Sequence, residues 1–282
     1  SGIGYVNRQH PHQWGFVDQA LPYDALLGGA LNETGVQLTW LPNLPFYTQL
    51  GVEALQGENE GMASQIGESD ATPWFSSKAG PRLVTAFLKV SPDVGYSDTL
   101  QVGVSYVYAS QHQELHDENE DGIVDEAFQG HARLVGLDAV WKHDSPRPYG
   151  KGDLTVQAEY LYRVKDLDLV AEAGEPALAA SVKFKQDGLY AQAVYGIFAR
   201  WTAGVRFDVI GLTNAIEGGG ESASFETSRR YTADLTFNPT EFSRLRAQVA
   251  HGEFHVGGVK ETYNQLDVQF QMSLGAHGAH RF

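Results

Sequence analysis

Leu266-Asp267-Val268-Gln269-Phe270-Gln271-Met272-Ser273-Leu274 alternates without a break: every even position is apolar and every odd position is polar or charged. A period of two is the mark of a β-strand with two unlike faces. In a soluble protein the apolar face must meet helices or a second sheet. The rest of the chain decides whether such a cover exists.

Upstream the same pattern recurs. Leu245, Ala247 and Val249 oppose Arg244, Arg246 and Gln248, and a Gly-containing loop, 255–261, separates them from the last strand. Before the turn Asn238-Pro239-Thr240-Glu241, Tyr231, Ala233, Leu235 and Phe237 alternate with Arg230, Thr232, Asp234 and Thr236. Leu189 to Phe198 and Trp201 to Leu212 form a hairpin around Ala199-Arg200, with Arg206 and Asp208 on the polar side. Further strands are expected around 154–164, 137–141, 100–108, 84–90, 46–54 and 36–40, and a short one over Ile3 to Arg8. That makes about twelve strands, with connections alternating between long (56–80, 111–131, 167–186, 213–226) and short. No candidate helix is long enough to cover the apolar faces. Short turns on one side, long loops on the other and strands of this length are the pattern of a transmembrane barrel. Aromatic residues near strand ends, among them Trp40, Tyr106, Trp141, Tyr162, Phe198, Trp201 and Phe237, suit interfacial girdles. The expected fold is therefore all-β, a transmembrane antiparallel β-barrel forming a single domain over residues 1–282, against the alternative of a soluble sandwich.

Composition agrees. Mean hydropathy is −0.29, and no run of 18 apolar residues exists to make a transmembrane helix. A barrel remains compatible with both, because half of each strand faces water. A net charge of −15 argues against a nucleic-acid partner. The absence of cysteine excludes a disulfide framework. The chain opens on Ser1 without a signal peptide and reads as a processed form or a fragment.

A chain of such strands ending in Phe282 resembles Gram-negative outer-membrane β-barrels, whose terminal aromatic is part of the signal read by the barrel-insertion machinery. More narrowly, Gly4 to Asp18 with Arg8 and His10-Pro11-His12-Gln13-Trp14, then Gly35-Val36-Gln37-Leu38, and the ending Met272 to His280 resemble a porin-like group distantly similar to phosphate-selective porins and sometimes labelled a zinc-regulated outer-membrane receptor. The resemblance implies residence in the bacterial outer membrane in contact with its lipid, transport of small solutes, a homotrimer, and a larger barrel of about sixteen strands with some upstream of residue 1. It also implies that residues 9–35, with His10, His12, Trp14 and Asp18, fold into the pore as a constriction loop.

If the apolar residues face lipid, then Glu53, Lys89, Asp138, Glu159, Arg163, Arg206, Asp208, Arg230, Asp234, Arg244, Arg246 and Asp267 line the lumen. Two readings stand for this set: one charged wall of a conducting pore, or salt bridges that fill the interior. In the acidic 111–131 connection, expected to be external, Asp117, Asn119, Asp121, Ile123 and Asp125 match the ligand positions of an EF-hand-type calcium loop, with Gly122 at the turn. The closing position is Phe128 rather than Glu, so Glu126 would have to substitute; the alternative is a solvated acidic loop. The histidine pairs His10 and His12, His251 and His255, and His277 and His280 suggest zinc only if they converge. No nucleophile motif stands out, and Ser110, His112 and His116 make no evident dyad, so no enzymatic activity is expected. The function expected is an outer-membrane channel for passive diffusion of small hydrophilic solutes or ions, the alternative being a metal-linked receptor.

Overall fold

A computed structural model describes residues 1–69, 71–117, 124–172, 175–177, 180–218, 221–224, 226–256 and 258–273. The strands are β1 (Gly35–Trp40), β2 (Tyr47–Leu55), β3 (Leu83–Ser91), β4 (Asp98–His116), β5 (Glu126–His143), β6 (Leu154–Glu172), β7 (Glu175–Pro176), β8 (Ser181–Phe198), β9 (Trp201–Ile210), β10 (Ala215–Gly218), β11 (Glu221–Ser224), β12 (Ser228–Thr240), β13 (Ser243–Val256) and β14 (Val259–Met272). They form one antiparallel sheet in the order β1-β2-β3-β4-β5-β6-β8-β9-β12-β13-β14. The small β10–β11 hairpin adds to the edge of β8 beyond the end of β9, and β7 pairs with β6. Each strand of the main path thus pairs with its nearest main-path neighbour in the chain, so the sheet is an up-and-down meander. Among the described residues β1 and β14 are its two edges and are not paired with each other.

The burial is inverted relative to a soluble protein. On β14, Leu266, Val268 and Phe270 are 71%, 72% and 64% exposed, while Lys89, Asp138, Glu159, Arg206 and Asp208 are buried. Exposed Val36, Leu38, Val52, Val104, Leu137, Val205, Leu235 and Val249 continue the apolar exterior around the sheet, a contiguous surface far larger than water-soluble proteins present. Aromatic rings bound it. Trp40, Trp141, Phe198, Trp201, Phe237 and Phe270 lie toward the short-turn end, and Tyr106, Tyr108 and Tyr231 lie further along their strands. Tyr231 and Phe237 are six residues apart on β12, about 20 Å along the strand, which fits inside the apolar band of a membrane barrel, roughly 25 Å tall and crossed by tilted strands. Arginine in place of Leu235, midway along β12, is therefore expected to cost about 2–4 kcal/mol, read as an earlier urea midpoint in vesicles. The same change at Tyr96, fully exposed in a short turn, should leave the midpoint in place, and equal effects at the two sites would contradict the membrane assignment of this face.

Four expectations need correction. Ile3 to Arg8 is not a strand: Gly4 takes φ +57°, Val6–Arg8 is a turn of 3-10 helix, and the amides of Gly2, Gly4, Tyr5 and Val6 donate to wall side chains instead of to a neighbouring strand. Strands β4, β5, β6 and β8 run well beyond the alternating cores seen in the sequence, so the connection placed at 111–131 narrows to 117–125 and most of 167–186 is strand. The alternation of long and short connections is broken: β13 and β14 are separated only by residues 257–258, and the 117–125 connection is no longer than the 144–153 connection that follows it. The inner face is also not uniformly polar. At the long-loop end, Leu55, Leu83, Val107, Ala109, Ala132, Leu134, Leu161 and Tyr190 build an apolar cluster with residues of 1–31.

That cluster shows how strongly the sheet curls. Helix α1 (Leu21–Leu27) contributes Tyr23, Leu26 and Leu27 to a core fed by every strand from β2 to β6 and by β8. These six neighbouring strands span roughly 24 Å if laid flat, yet their inward apolar residues join one cluster with Ile3, Val6, Leu31 and the helix, which itself lies against β6, β8 and β9, so the sheet curls around the segment. The helix begins with Pro22 in its first turn and stops at Gly28, whose φ of +62° turns the chain while Gly28 and Gly29 donate to the carbonyls of Asp24 and Tyr23. A four-residue helix, α2 (Glu60–Ala63), closes over α1 from the β2–β3 connection.

Candidate functional site: the charged inner wall and the segment inside it

The charged residues of the inner face meet residues 1–31, which lie against them. On the β2–β6 side the wall presents carboxylates. Glu53 accepts from Ser1 Oγ (2.5 Å) and the Gly2 amide (2.9 Å), as well as from Gln37 and Thr85. Glu159, fully enclosed, accepts the amides of Tyr5 (2.9 Å) and Val6 (2.8 Å) and the hydroxyls of Tyr23 (2.6 Å) and Tyr190. Lys89 bridges Asp138 (2.6 Å) and the carbonyl of Gly4 (2.8 Å). Gly4 has to be glycine: a Cβ there would sit 2.0 Å from the Tyr23 hydroxyl and 2.6 Å from Glu159 Oε2.

On the β9–β13 side the wall presents guanidinium groups. Arg206 and Arg230 grip the two oxygens of Asp18 at 2.9 and 2.7 Å, and Gln248 Nε2 donates to the same carboxylate at 2.8 Å. Both arginines turn their Nε toward Asp208, at 3.0 and 3.2 Å, so a buried carboxylate fixes their orientation from behind. Burial alone would raise the Asp18 carboxyl, but Arg206 and Arg230 outweigh it and hold the group below the ordinary carboxylate value. Arg244 donates to the carbonyls of His12 and Trp14, and Arg246 donates to Trp14. From β6, Arg163 donates to the carbonyls of Leu26 and Gly61, both at 2.6 Å. The Leu21 amide donates to Asp208 (2.9 Å), and the Val17 amide to Gln248 (2.8 Å).

Most of the bonds that join the wall to residues 1–31 go to main-chain atoms of that segment. A segment without strand neighbours must satisfy its buried amides and carbonyls some other way, and here ionised wall side chains do so, with charge-assisted bonds.

No protein-family model matches the chain. It is 37% identical over 287 aligned positions to an uncharacterized protein of Aquifex aeolicus (strain VF5), an alignment covering all of this chain and 58% of that relative, so the chain spans little more than half the relative's length. Among solved structures it is similar to outer-membrane expressed OmpT of Vibrio cholerae, with a TM-score of 0.53 at 10% identity, over 95% of this chain and 74% of that one. The fold is that of an outer-membrane β-barrel. The toluene transporter TodX of Pseudomonas putida superposes more loosely, with a TM-score of 0.39 at 13% identity over 84% of this chain and 72% of that one.

Of the residues assigned to the lumen of the barrel from sequence, Glu53, Lys89, Asp138, Glu159, Arg163, Arg206, Asp208, Arg230, Asp234 and Arg246 are buried, while Arg244 and Asp267 are half-buried. On β2–β6 they are carboxylates with Lys89 and Arg163, on β9–β14 arginines interleaved with Asp208, Asp234 and Asp267, and the segment touches both groups. Of the residues assigned to a constriction, Asp18 is clamped by the barrel wall, Trp14 is half-buried, and His10 and His12 stack at 5.5 Å, His10 being exposed. His251 bonds Asn264 on the neighbouring strand, and among the described residues no group of three or more metal-ligating side chains converges. Residues 118–123, which carry the core of the calcium-loop motif, and His277, His280 and Phe282 lie outside the described residues. Three contributors escaped the sequence reading: Gln248, Ser105 and Tyr190, which bond Asp18, the Gly4 amide and Glu159. Gln248 shares the inward parity of Arg244 and Arg246, so extending the charged positions to neutral amides on the same face would have found it.

Proposed function

We propose that this barrel is a channel of the bacterial outer membrane for small hydrophilic solutes or ions, with residues 1–31 setting the size and charge of its passage, and that it performs no covalent chemistry on what it passes. The reading rests on the inverted burial: apolar side chains face outward and an ionisable wall faces inward, the partition of a structure placed between hydrocarbon and an enclosed aqueous interior. A membrane anchor alone would need no charged interior. Desolvating so many ionised groups is costly unless the interior serves polar solutes. The segment narrows the lumen across its section, because its residues touch the wall from β2 to β13. Purified protein placed in planar bilayers should give discrete conductance steps, small in size because of this filling. Bilayers that stay sealed at every voltage would overturn the reading.

A further inference from the structure

Residues 1–8 and 20–31 are anchored by buried apolar side chains, Ile3, Val6, Tyr23, Leu26, Leu27 and Leu31. Residues 9–19 between them are different: Phe16 is their one buried apolar side chain, Gln19 is buried but polar, and the rest are exposed or half-buried. This stretch is tied down by arginine bonds to the carbonyls of His12, Trp14, Asp18 and Gln19, by the Val17 amide on Gln248, and by the Asp18 carboxylate.

The grip on Asp18 has the make-up of a carboxylate receptor. Two guanidinium forks and one amide donor surround its two oxygens, the arrangement that favours arginine wherever planar anions are recognised. All three donors belong to barrel strands, and the carboxylate belongs to the inlaid segment. Asp208 keeps both guanidinium groups pointed at the Asp18 position and neutralises one of their two charges. Without Asp18 the local trio of Arg206, Arg230 and Asp208 would carry a net charge of +1, with Asp24 a further carboxylate within range of both arginines, a state that favours an anion at the vacated position. A small cavity lies directly against this point, lined by Gln9, Trp14, Asp18, Gln19, Gln192 and Arg206.

We propose that Arg206, Arg230 and Gln248 form a binding site for carboxylate-bearing solutes, occupied here by the protein's own Asp18 and open to a solute carboxylate when residues 9–19 move aside. Passage of the solute to the site rests on the channel reading; the site itself does not. Asp18 competes as a tethered ligand, and tethering raises effective affinity by about two to four orders of magnitude. Titration calorimetry of the full chain in detergent at constant ionic strength, with succinate as probe, should show Asp18→Ala binding on the order of a hundredfold more tightly than the parent, and Arg230→Gln added to Asp18→Ala should abolish the gain. Asp18→Asn, which keeps the size of the side chain, should show the same gain and serves if the alanine variant does not fold. Succinate binding no tighter in the Asp18 variants than in the parent, a gain that survives Arg230→Gln, or competition by chloride as effective as succinate would each overturn the site. Conductance of the same preparations separates the two proposals: a barrel that conducts without binding succinate loses the site and keeps the channel, and one that binds but seals the bilayer does the reverse.

Discussion

Alanine at Glu159 is expected to release residues 1–31 from the wall while leaving the barrel standing. Among the described residues no other side chain of the wall bonds the segment at two places so far apart. Glu159 Oε2 accepts the Tyr5 amide and the Tyr23 hydroxyl, while Oε1 accepts the Val6 amide and the hydroxyl of Tyr190 from β8. Removing it orphans four buried donors, at about 1–3 kcal/mol each for those that water cannot reach. Such terms within one network are not additive, so a net loss of several kcal/mol is expected, enough to detach the segment. The strand ladders do not pass through this side chain, so the slow gel migration of the unheated barrel should persist. Cleavage by added protease within residues 9–19 should speed up, and the amides of Tyr5 and Val6 should lose protection from hydrogen exchange. Glu159→Gln should fall between, since an amide presents one acceptor and one unwanted donor to four donors. Protection of Tyr5 and Val6 unchanged in the alanine variant would refute the assignment of Glu159 as the latch.

The two halves of this interface differ in how visible they are in sequence. Which side chains point inward follows from parity alone: Arg244, Arg246 and Gln248 alternate with Leu245, Ala247 and Val249, so a strand that exposes the latter to lipid must turn the former inward. What the inward groups touch does not follow. Asp18 meets Arg206 and Arg230 across separations of 188 and 212 residues, and no local pattern records which loop returns to which strand. Ile3 to Arg8 misleads for a related reason. Its apolar residues suit a strand, but a strand is made by a neighbour's backbone, and this stretch has side chains there instead. The helix Leu21–Leu27 is equally hidden, being only two turns long and stabilised by packing rather than by propensity. The same reasoning explains why parity leaves two readings of the wall, a charged pore or interior salt bridges: it locates the ions but not their partners, and the expectation that residues 9–35 fold inward rests on resemblance rather than on a local pattern.

If residues 9–19 move during conduction, pinning them should close the barrel. A Cβ built on Gly15 lies 3.3 Å from Cγ2 of Val194 on β8, so the two Cβ positions are one C–C bond further apart at most, near the upper end of the roughly 3.5–4.5 Å that a disulfide spans. Gly15 has no left-handed backbone to forbid a side chain, and the chain has no cysteine to interfere. Gly15→Cys combined with Val194→Cys should therefore oxidise to a single intramolecular bond, and the oxidised protein should conduct severalfold less than the reduced protein, with full recovery on adding reductant. Each single-cysteine variant should ignore the oxidant. The anchors on either side bear on the interpretation: residues 1–8 and 20–31 are held by the apolar cluster in both redox states, so a change in conductance reports on the stretch between them. Equal conductance before and after oxidation would mean that solutes pass beside a fixed inlay, and that the clasp on Asp18 does not open during transport.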